Sequence, residues 1–159
     1  MNKLSAVLIF IFFATNLSFS QTIDNSDMNL QYDSLLAQKL GADDYGMKQY
    51  IMAFLKSGKV KMEDKQESDR LQMEHMKNII RMAEEGKLIL AGPFMDNQEI
   101  RGIYIFDVKT IEEAEELTST DPAIKAGVLE MELHPWYGSA ALMEVTLIHK
   151  KVQKKSFAD

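Results

Sequence analysis

His75 is the side chain whose type and position most directly suggest chemistry. It stands four residues before Ile79 and seven before Met82, so on a helix it would lie on or beside the apolar face that packs against the core. An imidazole in that position can exchange protons near neutral pH, which makes it a candidate general base or acid. The same placement also fits a histidine at the edge of the core that hydrogen-bonds a backbone carbonyl, and both interpretations stay open at this point.

A second histidine, His134, follows Glu130 and Glu132 in an alternating stretch. On a strand these three side chains share one face, and two carboxylates with an imidazole could bind a divalent metal. An exposed polar strand face is the commoner arrangement, and we therefore predict no metal site here. The sequence has no cysteine, which excludes thiol catalysis and thiolate metal sites.

The stretch from His75 to Phe94 is typical of a helix, a turn and a strand, and the other elements are arranged around it. Asp64 is the expected N-cap of the helix, which runs to about Glu85. Gly86 stands where a helix C-cap needs a left-handed residue. The strand that follows is expected over Lys87 to Phe94, and the helix and strand together would fix the position of His75.

Apolar alternation and helix-capping residues predict the remaining elements. These are a first strand Lys48–Leu55, a third strand Gly102–Val108, a helix opened by the capping box Thr110–Glu113, a short turn opened by Asp121–Pro122, a fourth strand Val128–Leu133 and an extra strand within Met143–His149. We expect the fourth strand to be broken at 134–138 and the last ten residues to form a basic tail. The order β-α-β-β-α-β predicts a ferredoxin-like α+β fold, with helices on one face of an antiparallel sheet.

The first and third strands are apolar on both faces, which places them at the centre of the sheet. The predicted helices all belong to one face, so the other face needs a different cover. Another subunit could supply it, and a homodimer is the simplest solution.

Residues 1–20 have the features of a secretory signal peptide: Lys3 supplies a positive charge, an apolar run follows, and Ser18 and Ser20 fit the small-residue cleavage rule. We expect cleavage before Gln21. A polar leader over 21–46, which contains one short helix, should follow, and then a compact domain over 47–149. Loss of Lys3 leaves 17 basic against 24 acidic residues, a net charge of −7, which disfavours a nucleic-acid partner. These features predict an exported protein, periplasmic or secreted, that does not stay in the membrane.

Two motifs resemble those of YciI-like (YCII-related) proteins, which belong to the dimeric α/β-barrel group. One is the helix His75 followed by Glu85-Gly-Lys-Leu-Ile-Leu-Ala-Gly-Pro93, and the other is Asp121-Pro122 followed by Ala126-Gly127 before the last strand. The two halves occur in the family's order around a predicted hairpin, and the resemblance covers about residues 48 to 136. It implies the dimeric α/β-barrel fold.

The resemblance also implies an active site, because the family's His–Asp pair matches His75 and Asp121. A few relatives act on chlorinated or hydroxylated aromatic ring products by dehydrochlorination, and the wider group includes lactone isomerases and cofactor-free oxygenases. The implied activity is acid–base chemistry of lyase or isomerase type on a small, largely apolar molecule, without a cofactor. Two alternatives remain: Asp121 as a helix N-cap worth about 1 kcal/mol, and a non-catalytic dimeric protein that binds a small ligand or acts as an accessory.

Overall fold

A four-stranded antiparallel sheet with helices packed on it is the framework of the computed structural model, which describes residues 31–96 and 98–155. The strands are β1 Met47–Ser57, β2 Leu88–Pro93, β3 Ile100–Phe106 and β4 Leu129–Ser139; the helices are α1 Ser34–Leu40, α2 Lys65–Glu84, α3 Ile111–Thr118, α4 Pro122–Lys125 and α5 Val145–Val152, with a 3₁₀ helix over Ala140–Glu144. The strand order is β2-β3-β1-β4, so β1 and β3 are central, as predicted. The predicted ferredoxin-like α+β fold is confirmed.

Helix α2 begins and ends where its capping residues require. The Asp64 side chain accepts hydrogen bonds from the backbone N–H groups of Gln66 and Glu67, which satisfies donors of the first turn. After the helix, Gly86 takes the left-handed conformation predicted for it, with φ 70°. The backbone N–H of Lys87 then donates to the carbonyl of Met82 and leads the chain into β2.

The main core lies between the sheet and α2 and α3. Its buried members include Ile51, Ala53 and Leu55 from alternate positions of β1, together with Phe106 of β3 and Met82 of α2. Alternate strand residues point to one face, and the buried stripe of α2 faces them. This packing fixes α2 against the sheet and carries His75, seven residues before Met82, into the interior.

The predicted break at His134–Gly138 is wrong, because β4 continues to Ser139 and stays paired with β1 along its whole length. Pro135 lies opposite Ile51 in this ladder. A proline is tolerated there since β4 is an edge strand, with one side that needs no backbone donor. Gly138 then allows close approach of the Trp136 ring, because a Cβ at Gly138 would lie 2.2 Å from an indole carbon.

The extra strand predicted within Met143–His149 is also wrong. This segment forms the end of the 3₁₀ helix and most of α5, and the predicted basic tail starts inside α5, which runs to Val152. The Ser139 side chain accepts a hydrogen bond from the N–H of Ala141 and so caps the 3₁₀ helix. Basic residues in the last turn of α5 favour a helix because they lie at the negative end of its dipole.

This C-terminal segment covers part of the second face of the sheet. Leu142 and Met143 pack against a second core cluster of Tyr50, Ile89 and Ile105. The expectation that no helix remains for this face was therefore wrong, since the chain supplies its own cover over one end of it. The homodimer stays a prediction. The argument for it now concerns only the part of this sheet face that the C-terminal segment leaves uncovered.

The expected signal peptide, 1–20, and the first ten residues of the expected leader lie outside the described residues. The short helix expected in the leader is α1, which ends at Gly41 in the left-handed conformation with φ 69°. Within residues 31–96 and 98–155, no helix combines the length and apolar character needed to cross a membrane.

Candidate active site

His75 and Asp121 meet inside the protein although 46 residues separate them in the sequence. The imidazole Nδ1 lies 2.7 Å from Asp121 Oδ2, within the range of a charge-assisted hydrogen bond. Both residues are buried, with 6% of His75 and 0% of Asp121 exposed. The structure therefore contains the buried histidine–carboxylate contact that the proposed chemistry requires.

Asp121 also caps helix α4. Its Oδ1 accepts a hydrogen bond of 2.8 Å from the backbone N–H of Ala123, and Pro122 occupies the first helical position. One carboxylate oxygen thus holds the local turn and the other holds His75. The two interpretations of Asp121, as a helix cap and as the partner of His75, describe the same side chain.

Asn78 connects this carboxylate to the protein surface. Its Nδ2 donates to Asp121 Oδ2 at 3.4 Å, while its Oδ1 accepts from Arg81 Nη2 at 2.9 Å. Thr120 Oγ1 also lies 3.0 Å from Asn78 Oδ1. Asn78 lies one turn after His75 on α2, so the same helical face presents both the imidazole and this amide to Asp121.

Tyr104 is the residue of the site that the sequence did not reveal. Its hydroxyl lies 3.3 Å from His75 Nε2, and the two rings are stacked with centroids 6.4 Å apart. If Nδ1 donates to ionised Asp121, then Nε2 of the neutral ring carries the lone pair, and the hydroxyl of Tyr104 donates to it. The alternation of β3 indicated only that Tyr104 faces one side of the sheet; its hydroxyl partner comes from the packing of α2 on that side.

Electrostatics keep the carboxylate ionised and the phenol protonated. Burial, the largest effect on Asp121, raises its pKa, but the hydrogen bond and charge of His75, helped by the Ala123 and Asn78 donors, outweigh burial and lower the pKa below its ordinary value. Burial, followed by the negative charge of Asp121, raises the pKa of the Tyr104 hydroxyl well above its ordinary value. Asp121 is thus held as an ionised acceptor, and the Tyr104 hydroxyl stays in its neutral form.

Two cavities adjoin residues that are bonded to Asp121. A recess of about 80 Å³ is mostly apolar and includes Leu71, Ala123 and Leu129 in its walls. An open cleft of about 300 Å³ lies along α2 and the start of α4, and Asn78 and Pro122 belong to its walls. Asp121 therefore lies behind residues that line both the recess and the cleft.

The second candidate group is a surface arrangement. His134 Nε2 lies 2.8 Å from Glu132 Oε1, Glu132 also forms an ion pair with Lys56, and all three lie at the open side of the sheet. Glu130 pairs with Lys56 across the ladder. Across the described ranges 31–96 and 98–155, no group of three or more His, Cys, Asp or Glu side chains is arranged to hold a metal ion.

Residues 49–137 match the family described as the YCII-related domain. The chain belongs to this family. The match begins in β1, ends in β4 and contains both His75 and Asp121, whereas α1, the 3₁₀ helix and α5 lie outside it. No curated protein matches the sequence. The His–Asp contact is therefore part of the YCII-related domain, and the cover on the second sheet face is an addition to it.

Proposed function

We propose that this YCII-related protein is an exported, cofactor-independent enzyme of lyase or isomerase type that acts on a small, largely apolar or aromatic-derived molecule. The observation that carries the proposal is the 2.7 Å contact between His75 Nδ1 and Asp121 Oδ2 in the buried interior. Proton transfer by an oriented imidazole is the chemistry that such a pair supports best.

In this proposal His75 is the general base or acid, and Nε2 is the atom that exchanges the proton. Asp121 orients the ring, holds the proton on Nδ1 and stabilises the imidazolium that forms when Nε2 accepts a proton. Since Tyr104 already contacts Nε2, the substrate takes the place of this hydroxyl at the ring. The substrate needs an acidic C–H or a good leaving group, because a positioned base supplies about 10²–10⁴-fold of rate enhancement.

The small size and apolar walls of the recess near Leu71 and Ala123 support a compact, largely apolar substrate. The recess, at about 80 Å³, is smaller than typical ligand pockets, and His75 is not among the residues that line it. Binding therefore requires the residues around the ring to move and expose it. Displacement of the Tyr104 hydroxyl is one such movement.

The test is a screen of small lactones and of hydroxylated or chlorinated ring compounds in D₂O, with deuterium incorporation and product formation followed by NMR. For a substrate that the wild-type protein converts, His75→Gln should lower the rate by about 10²–10⁴-fold. Asp121→Asn should also lower it strongly, because an amide beside Nδ1 places the ring proton on Nε2 and removes the charge partner of the imidazolium. His149→Gln is the matched control, since His149 lies on exposed α5.

Equal rates for wild type, His75→Gln and His149→Gln would contradict the proposal, and so would a complete lack of turnover across the panel. Either result would favour the alternative, a non-catalytic protein that holds a small ligand or acts as an accessory.

Export is tested separately by expressing the full chain with its first 20 residues in a bacterial host. Mature protein that begins at Gln21 in the periplasm or medium is expected. Protein that keeps Met1 and remains inside the cell would contradict export without affecting the proposed chemistry.

A further inference from the structure

The open cleft on the outer side of α2 has features of a ligand site that the proposed chemistry does not use. It has a volume of about 300 Å³, and its walls are Glu74, Lys77, Asn78 and Arg81 of α2 with Thr120 and Pro122. This volume lies at the lower end of the range for small-molecule sites. The cleft is therefore large enough for a small organic molecule.

Two of the three charged side chains in these walls have an ion-pair partner, and one does not. Glu74 forms an ion pair with Arg70, and Arg81 forms one with Glu85, each at 2.8 Å. The Lys77 side chain is exposed and has no hydrogen-bond or ion-pair partner within the described part of the chain. Its ammonium therefore offers three uncommitted donors to whatever enters the cleft.

The same walls favour one kind of anion. A single uncommitted ammonium matches a single negative charge, while Glu74 repels a second one. Pro122 and the aliphatic stem of Lys77 provide apolar surface for the rest of the molecule. We propose that the cleft binds a small organic monocarboxylate, with its carboxylate on Lys77 and its apolar body against Pro122.

The site is also connected to His75. Arg81 and Thr120, two wall residues, contact Asn78 Oδ1 at 2.9 and 3.0 Å, and Asn78 Nδ2 contacts Asp121. A carboxylate beside Lys77 attracts the Arg81 guanidinium and weakens its bond to Asn78. The Asn78 side chain then moves relative to Asp121. Binding of a ligand in the cleft therefore changes the environment of the His75 ring.

The test is an NMR titration of ¹⁵N-labelled full-length protein with sodium benzoate at constant ionic strength. Saturable shifts are expected at the amides of Lys77, Arg81 and Thr120, and the ring signals of His75 should move with the same dissociation constant. Benzyl alcohol, which has no charge, and inorganic phosphate, which carries more than one, should bind more weakly.

Lys77→Gln should weaken benzoate binding by about three- to tenfold, and Lys77→Arg should restore it. Lys65→Gln is the matched control, because Lys65 is an exposed lysine of the same helix whose partner is Asp69. Both lysines are at the surface, so neither change should unfold the protein. Chemical shifts that rise linearly without saturation, or an unchanged benzoate affinity in Lys77→Gln, would contradict the binding site. Saturable shifts at the cleft amides without any change in the His75 ring signals would contradict the connection to His75. None of these results depends on whether His75 is catalytic.

Discussion

The Tyr104 hydroxyl lies 3.3 Å from His75 Nε2, so the nitrogen that the proposed chemistry needs already has a hydrogen-bond partner in the resting protein. Asp121 holds the other ring nitrogen at 2.7 Å. The imidazole is therefore bound on both sides, by a helix cap and by a central strand. This arrangement orients the ring, and it also means that the proposed activity requires release of the Tyr104 contact.

Tyr104→Phe should isolate that contact, because phenylalanine keeps the ring and its packing and removes only the hydroxyl. The ¹⁵N resonance of His75 Nε2 should shift clearly while that of Nδ1 changes little. Loss of the hydrogen bond should lower the free energy of unfolding by about 0.5–1.5 kcal/mol. A shift at Nδ1 as large as at Nε2 would contradict the assigned partners.

Asp121→Asn should reverse the tautomer of the neutral His75 ring. Asparagine is as good an N-cap as aspartate, so α4 should keep its cap, but the amide can donate where the carboxylate only accepts. Nδ1 then becomes the acceptor and the proton moves to Nε2, which ¹⁵N ring shifts report directly. Asp64→Asn, at the N-cap of α2, is the matched control and should leave the ring unchanged; retention of the Nδ1–H form in Asp121→Asn would contradict the pairing.

Acid should destabilise the protein partly through Asp121. The pKa of this carboxyl is lowered in the fold from an ordinary value near 3.8, so in acid the unfolded chain binds more protons than the folded one. The contribution is fully present above that ordinary value and is lost as the pH falls through the lower folded value. Urea unfolding should therefore show a greater loss of stability between about pH 5 and pH 3 in wild type than in Asp121→Asn.

Other carboxyls whose pKa is lowered, such as Glu67 and Glu113, remain in both proteins and supply the common background. Equal losses in the two proteins over this pH range would show that Asp121 is not stabilised in its ionised form.

Gly138→Ala should destabilise the protein at the end of β4. A Cβ at this position would lie 2.2 Å from the Trp136 ring, which must then move from its place against Tyr50. Crowding of this kind typically costs about 1–3 kcal/mol. Urea unfolding measures the cost, and the emission of Trp136, the only tryptophan, reports the displacement.

Gly92→Ala is the matched control, because a Cβ there meets nothing within 4 Å and Gly92 does not adopt a positive φ. It should leave stability unchanged or raise it slightly by restricting the unfolded chain. Similar losses in the two alanine variants would contradict the crowding explanation.

Local signals in the sequence were sufficient for most of the framework. Asp64 and Gly86 mark the ends of α2, and the two apolar faces of β1 and β3 place these strands at the centre. The α2 histidine was found for the same reason, since helical spacing places it on the buried stripe. These features depend on residues a few positions apart, which is why periodicity and capping reveal them.

The errors concern features that depend on distant partners. Pro135 indicates a break unless the strand is known to lie at the sheet edge, and only the pairing with β1 determines that. The apolar residues of 142–148 fit either a strand or a helix in so short a run, and their contacts with Tyr50 and Ile89 select the helical form. The sequence did not reveal Tyr104, because the contact of its hydroxyl with His75 depends on how α2 is positioned against β3.

The two oxygens of Asp121 have a consequence for how related sequences should be compared. One oxygen holds the first turn of α4, so selection for folding alone favours a capping side chain such as aspartate at this position even where no reaction takes place. The His75 ring contacts the side chains of Asp121 and Tyr104, and neither of these hydrogen bonds caps a helix or holds a turn. Under the proposed function, a relative that keeps the aspartate but replaces the histidine has preserved the turn and lost the proposed base, so position 75 would be the better marker of activity.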